Sequence, residues 1–199
     1  MSIDAQKRHI GTLASATAGF PLRTAADALP AGDVSFVQMR DVVDGASVDW
    51  AGVPRVELPG KRPVSWLGDG DILFAARGTN NYALALRNVP ERAVCSPHFF
   101  VLRVSDKARI DPFFLAWQIN QKPAQDYFRQ SATGSHIPNI RRSVLEGLEV
   151  AVPSVSRQRM IADLWNAALE EKRQLNALLA NRQHQLNSIA ADLLTARMR

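Results

Sequence analysis

The chain has 199 residues, of which 46% are hydrophobic and 22% charged, and its formal net charge is +5. This composition is typical of a globular protein, and the length allows one ordinary domain with an appendage. The longest apolar runs are too short to cross a membrane, the N-terminus lacks a signal-peptide core, and the single cysteine, Cys95, excludes an internal disulfide framework and a cysteine-based zinc site. We therefore expect a cytoplasmic protein with no membrane association, in which the positive charge permits nucleic-acid binding without requiring it.

Residues 1–153 are predicted to form a mixed α/β domain. A turn at Pro30–Asp33 is expected before a strand over Val34–Val42. The polar segment Asp44–Lys61 is rich in Gly and Pro and is predicted to be a loop or an irregular meander. Short apolar runs predict further strands over Val64–Leu67, Asp71–Ala76, Tyr82–Arg87, Val94–Val104 and Leu148–Val152. Cys95 lies in one of these runs, which favours a buried, inert thiol over a nucleophile.

Two helices are predicted between the last two of these strands. Asp111–Pro112 is a helix start, because Asp can accept hydrogen bonds from the first free amides and Pro is suited to the first turn. A second helix is expected to begin at Pro123 and to include Tyr127 and Phe128.

Residues 154–199 are predicted to form one long amphipathic helix, because the segment contains no Gly or Pro and apolar residues recur at helical spacing. Ser154 or Ser156 can cap its start. A helix of about 40 residues is roughly 60 Å long, which is more than the preceding domain can cover. We therefore predict an α+β protein whose helix pairs with a second copy as an antiparallel coiled coil, or docks on a larger partner. The apolar stripe that would form this contact comprises Ile161, Leu164, Ala168, Leu175, Leu179, Leu186, Ile189 and Leu193.

Three segments together resemble the specificity (S) subunits of type I restriction–modification systems. The first is Gly70–Thr79, with the sequence GDILFAARGT. The second is Ser131–Ile137, followed about ten residues later by Leu145–Pro153. The third is Gln158–Ala162, at the start of the long helix. Each motif is weak alone, but their order and spacing before a long helix make the resemblance fairly specific.

The resemblance implies a DNA-recognition protein without catalysis of its own. A complete S subunit has two target-recognition domains, each followed by a long helix, and the two helices pack antiparallel. This chain is similar to a half-size S subunit, with a target-recognition domain over 1–153 and a dimerisation and spacer helix over 154–199. The implied partners are double-stranded DNA, a second copy of the chain, and a DNA methyltransferase subunit that in turn recruits a restriction subunit. Ser154 and Arg157 depart from the family pattern, which tends to have Pro and Glu at these places.

The sequence predicts no catalytic residues, no metal site and no cofactor. It contains neither a phosphate-binding loop nor a dinucleotide-binding glycine motif, and its histidines lack partners at metal-ligand spacing. The Glu170–Lys172 triplet is better explained by a solvated helix face than by a nuclease site.

Exposed loops with Arg, amide and hydroxyl side chains are the candidate DNA contacts, because these groups match base edges and phosphates. The segment Arg77–Asn81, here called the Arg77 loop, is the candidate for base reading, through Arg77, Thr79, Asn80 and Asn81. The candidates for phosphate contact are Lys61, Arg62, Thr133, Ser135, His136, Arg141 and Arg142. An ordinary hairpin turn would explain the composition of the Arg77 loop equally well. A surface loop without DNA contacts would likewise explain Thr133–His136 together with Arg141 and Arg142.

Two other functions remain open from the sequence. The long helix could serve a protein-interaction adaptor that binds no nucleic acid. A stand-alone nuclease is disfavoured because no cluster of carboxylates accompanies the Glu170–Lys172 triplet.

Overall fold

The computed structural model describes residues 5–22, 30–59, 63–78, 81–131 and 139–196. The chain divides into two compact units, residues 1–162 and 163–199. The predicted α+β class, with a β-rich domain followed by a long C-terminal helix, is confirmed. The predicted division at residues 153 and 154 stays a prediction.

A four-stranded antiparallel sheet forms the centre of the first unit. Its strand order is β2 (Ala14–Ala18), β10 (Phe99–Val104), β7 (Ile72–Ala75) and β8 (Ala83–Ala85). Alternate side chains of β7 enter two different core clusters, because successive side chains of a strand point to opposite faces. Ile72 and Phe74 join the larger cluster, and Leu73 and Ala75 join the second. This sheet is therefore buried on both faces.

The described residues also form three smaller sheets. A three-stranded sheet has the order β6 (Arg55–Val56), β3 (Ala31–Val37) and β9 (Ala93–Cys95), with β9 parallel to β3. Two antiparallel pairs complete the β-structure: β4 (Val42–Val43) with β5 (Ser47–Val48), and β1 (Gln6–His9) with β11 (Glu149–Val152).

Among the described residues, the first unit contains the short helices α1 (Pro112–Asn120), α2 (Lys122–Ser131) and α3 (Arg142–Gly147), as well as the start of the long helix. The predicted cap of α1 is confirmed, since Asp111 Oδ1 accepts hydrogen bonds from the amides of Phe113 at 2.8 Å and Phe114 at 3.1 Å. The start of α2 lies one residue before Pro123, which agrees with the prediction. α1 buries Phe114, Leu115 and Ile119 in the larger core cluster.

The long helix α4 runs from Val155 to Ala196. Ser154 directly precedes it, while Ser156 lies inside the helix and so cannot be its cap. Ile161 is partly buried and packs against the larger core cluster of the first unit. Further along the helix, Leu175, Leu179 and Leu186 are 54%, 67% and 61% exposed. Leu164, Ala168, Ile189 and Leu193 are exposed as well. None of the described helices is long and apolar enough to cross a membrane.

The structure corrects the prediction around the third strand. Ala31, Gly32 and Asp33 belong to β3 rather than to a turn, because Ala31 and Val34 both pair with Val56 across an irregularity in register. The strand ends at Val37 and not at Val42. Gln38 and Asp41 form a capping box there, which folds Met39–Asp41 into a single 3₁₀ turn.

Three further element predictions were wrong. Val64–Leu67 is not a strand: Leu67 donates a hydrogen bond to the carbonyl of Ala93, but no strand ladder forms. Val94–Val104 is two strands in different sheets, because the turn containing Pro97 separates β9 from β10. The segment Asp44–Lys61 contains β5 and β6 and so is not wholly irregular.

Candidate nucleic-acid interface

The Arg77 loop connects two buried strands of the central sheet. β7 and β8 pair with Phe74 opposite Ala83, so the loop projects from one end of a hairpin. Arg77 is exposed, which leaves its guanidinium accessible to a ligand. Asn81 is only partly exposed, and its Nδ2 donates to the carbonyl of Ala75 at 2.8 Å. The amide of Asn81 therefore ties the base of the loop. Thr79 and Asn80 lie outside the described residues.

The segment before α3 lies directly beside the Arg77 loop. Arg77 and Asn139 form an isolated antiparallel bridge, and the amide of Ile140 donates to the carbonyl of Ala76 at 2.9 Å. Ile140 is 1% exposed, so the contact is anchored in the core. These bonds bring together two groups of candidate residues that are far apart in the sequence.

Arg141 and Arg142 follow this bridge at the start of α3. Arg141 occupies the N-cap position and Arg142 is the first helical residue, and both are exposed. The Nε of Arg142 donates to Glu146 Oε1 at 2.7 Å, which is a helical i to i+4 ion pair. Exposed pairs of this kind are weak, so a phosphate can compete for the guanidinium. Thr133, Ser135 and His136 lie outside the described residues, as do Lys61 and Arg62.

A third element next to the Arg77 loop was missed by the sequence reasoning. A Cβ built on Gly78 would lie 3.4 Å from Met39 Cε. A Cβ built on Gly45 would lie 3.5 Å from the ring of Tyr82, the residue that follows the loop. Gly45 is in the turn of the β4–β5 hairpin, so this hairpin and the 3₁₀ turn Met39–Asp41 border the loop. The sequence itself indicates this hairpin turn, because Asp-Gly is a preferred pair for tight hairpin turns. Asp44 and Gly45 indeed have positive φ values of 52° and 68°.

Within the described residues there is no group of three or more His, Cys, Asp or Glu side chains that could hold a metal ion. Cys95 is 1% exposed, and burial raises the pKa of its thiol to about 12. The predicted burial of this thiol is thus confirmed, and a buried, protonated thiol is a poor nucleophile.

The beginning of α4 is fixed by a residue from one of the three motifs. Gln158 is fully buried, and its side chain bonds to the backbone of Asp111, Arg109 and Pro153 at 2.8, 3.0 and 2.8 Å. The side-chain oxygen of Gln158 accepts a hydrogen bond from the amide of Asp111, and its side-chain nitrogen donates to the carbonyls of Arg109 and Pro153. Gln158 therefore joins the first turns of α4 to the segment that caps α1.

Comparison with solved structures supports the resemblance that the motifs indicate. A chain described as the S subunit of a type I restriction–modification system from M. genitalium is 21% identical, with a TM-score of 0.58 over 89% of this chain and 42% of that one. An HsdS subunit from Thermoanaerobacter tengcongensis is 16% identical, with a TM-score of 0.55 over 86% of this chain and 40% of that one. The fold is similar to that of type I S subunits.

A further chain comes from work on complex assembly and conformational transition of the type I restriction–modification system. It is 14% identical, with a TM-score of 0.64 over 95% of this chain and 44% of that one. Our chain thus spans about two fifths of the length of the structures it matches. No protein-family model and no curated protein matches the sequence. At this level of identity the comparisons establish the fold, and the S-subunit resemblance is confirmed in that respect.

Proposed function

We propose that this chain is a DNA-recognition protein that acts as a half-size specificity subunit of a type I restriction–modification system. The observation that carries the proposal is the bridge between Arg77 and Asn139, which places the Arg77 loop beside Arg141 and Arg142. Sequence-specific DNA binding combines contacts to base edges with contacts to phosphates, and the proposal assigns the first to the Arg77 loop and the second to the two arginines. The similarity of the fold to S subunits supports the same function.

The two groups of residues have different roles in this proposal. Arg77 carries a planar fork of N–H donors that matches the O6 and N7 acceptors of guanine in the major groove. Arg141 and Arg142 contact phosphates, which position the protein without reading sequence. Thr79, Asn80, Lys61, Arg62, Thr133, Ser135 and His136 stay candidates for further contacts, and Asn81 has a supporting role in shaping the loop.

The apolar stripe of α4 supports dimerisation. Leu175, Leu179 and Leu186 are more than half exposed, and such a row of apolar side chains is stabilised when a second helix covers it. In the proposal two copies pair antiparallel through this stripe. A helix of roughly 60 Å is close to two turns of B-DNA at about 34 to 36 Å per turn. Two tethered domains would then bind a bipartite site far more strongly than either domain alone.

The proposed partners follow from the same role. The dimer would direct a DNA methyltransferase subunit, and through it a restriction subunit, to the bipartite site. The chain itself would perform no catalysis and need no cofactor. Transfer of labelled methyl groups to DNA by the purified chain alone would contradict this part of the proposal.

A protein-interaction adaptor is the second candidate, and the exposed leucines of α4 favour it equally. Titration with salt separates the two functions. The binding constant for duplex DNA should fall steeply as salt rises, since each neutralised phosphate releases counterions. A chain that binds no duplex at low salt, but still binds a helical protein partner, would establish the adaptor instead.

A further inference from the structure

A pocket of about 310 Å³ lies at the opposite end of the β7–β8 hairpin from the Arg77 loop. Gly70, which precedes β7, and Leu86 and Arg87, which follow β8, form one side of it. The first turn of α1 forms another side through Pro112 and Phe113. The pocket is therefore separate from the candidate interface described above.

Three cationic side chains from three different segments line this pocket: Arg87, Lys107 and Arg159. The guanidinium carbon of Arg87 lies 3.7 Å from the centroid of the Phe113 ring, so this cation is held against an aromatic side chain that also lines the pocket. Among the described residues, the side chains of Lys107 and Arg159 have no hydrogen-bond acceptor and no ion-pair partner. Their donors are therefore available to a ligand.

Two carboxylates also line the pocket, but backbone amides already engage them. Asp69 Oδ1 accepts from the amide of Val89 at 2.9 Å. Asp111 caps α1 through the amides of Phe113 and Phe114. Neither carboxylate forms an ion pair with the three cations within the described part of the chain. The pocket thus has one net positive charge and several donors without acceptors.

Gly70 leaves space for the side chain of Lys107 at the pocket. Its φ is +85°, and a Cβ at this position would stand 3.3 Å from Lys107 Nζ and 3.4 Å from Pro112 Cγ. The hydrogen at this position lets the ammonium group of Lys107 approach the pocket floor. A side chain here would strain the backbone and displace that ammonium group.

We propose that this pocket binds a phosphoryl group. Cationic donors from three different segments suit an anion with several oxygens, and Arg and Lys are the usual ligands of such groups. Two sources can supply the phosphoryl group: the DNA backbone, or a free phosphorylated small molecule. The first source rests on the proposed function, and the second is independent of it.

The test compares two variants that each lose two positive charges. The pocket variant is Lys107→Gln with Arg159→Gln. The control is Lys122→Gln with Arg157→Gln, which alters exposed residues of α2 and α4 outside the pocket. Calorimetric titration with inorganic pyrophosphate at low salt should show binding by the wild type and the control. The pocket variant should bind about tenfold more weakly or worse, because two charge-assisted hydrogen bonds are lost.

A second arm identifies the source through the salt dependence of duplex DNA binding. If the DNA backbone supplies the phosphoryl group, the pocket variant should lower the salt slope by about 2 relative to the control. If a free phosphorylated compound is the ligand, the pocket variant and the control should have the same salt slope for duplex DNA, while the pocket variant binds pyrophosphate more weakly than the control. The proposal is overturned if the pocket variant and the control match in both arms. A wild type that binds pyrophosphate but no duplex would refute the proposed function and leave the pocket assignment standing.

Discussion

The side-chain oxygen of Gln158 accepts a hydrogen bond from the backbone amide of Asp111 at 2.8 Å. The same side chain donates to the carbonyls of Arg109 and Pro153. Since Gln158 is fully buried, its side-chain amide depends on these three backbone groups as hydrogen-bond partners. One glutamine therefore joins the segment that caps α1 to Pro153, which lies two residues before α4.

Replacement of Gln158 by Ala should destabilise the domain. A buried polar group left without a partner costs about 1–3 kcal/mol, and the bond to Pro153 is buried, so the free energy of unfolding should fall by about 1–3 kcal/mol. Urea denaturation measures this change. Arg157→Ala is the control, because it alters an exposed neighbour and should shift the free energy by about 0.5 kcal/mol or less. Equal midpoints for wild type and Gln158→Ala would contradict the role given to Gln158.

Cys95 should make the stability fall at high pH. Burial raises the pKa of its thiol from 9.0 to about 12 in the folded chain. The unfolded chain therefore loses this proton first, so the stability contributed by the protonated thiol is fully present below pH 9 and is lost as pH rises towards 12. Denaturation of the wild type and of Cys95→Ala between pH 8 and 11 isolates this effect. A wild type with no steeper decline than the variant would be inconsistent with a buried thiol.

Much of the fold could be predicted because local chemistry determines it. Asp111 and Pro112 mark the start of α1 by their own side chains, and the long helix follows from an uninterrupted apolar period. The β1 and β2 strands were missed because nothing local marks them. β1 is exposed along its length and is a strand because it pairs with β11, which is distant in the sequence.

The candidate site was predicted only in part, for the same reason. Arg77 and Arg141–Arg142 could be selected by residue type, but their proximity depends on the bridge to Asn139 and on the burial of Ile140. For Asn81, residue type alone gave a misleading indication. Its residue type suits base reading, yet its side chain is bonded to the carbonyl of Ala75.

The dimer contact can be tested with charges in the apolar stripe. Leu175→Asp with Leu179→Asp should dissociate the proposed dimer, because burying carboxylates between two helices costs several kcal/mol. Sedimentation velocity measures the mass. Ala177→Asp with His184→Asp adds two carboxylates to another face of the same helix and should leave the dimer intact. If the stripe variant and the wild type have the same mass, the contact lies elsewhere.

The phosphate contacts should be independent of sequence. Arg141→Ala with Arg142→Ala should weaken binding to every duplex alike and lower the salt slope by roughly 2, since two phosphate contacts are lost. The sequence selected from random duplexes should not change. Arg173→Ala, on the long helix, is the control and should leave the slope as it is. A double variant with an altered selected sequence would show that these arginines read bases.

The role of Arg77 should appear in the selected sequence itself. A guanidinium that binds guanine contributes discrimination of about 1–3 kcal/mol, so Arg77→Ala should relax the preference at one position of each half-site. Binding at the remaining positions should persist. An unchanged preference would assign base reading to another element, such as the neighbouring β4–β5 hairpin.

Selection of binding sites from random duplexes by the wild-type protein tests the central claim most directly. Two identical domains related by a two-fold axis must read the same half-site on opposite strands. The account therefore predicts an inverted repeat whose halves are separated by a spacer without sequence preference. A single contiguous, asymmetric site would contradict the two-domain arrangement, and the absence of any enriched sequence would contradict DNA recognition altogether.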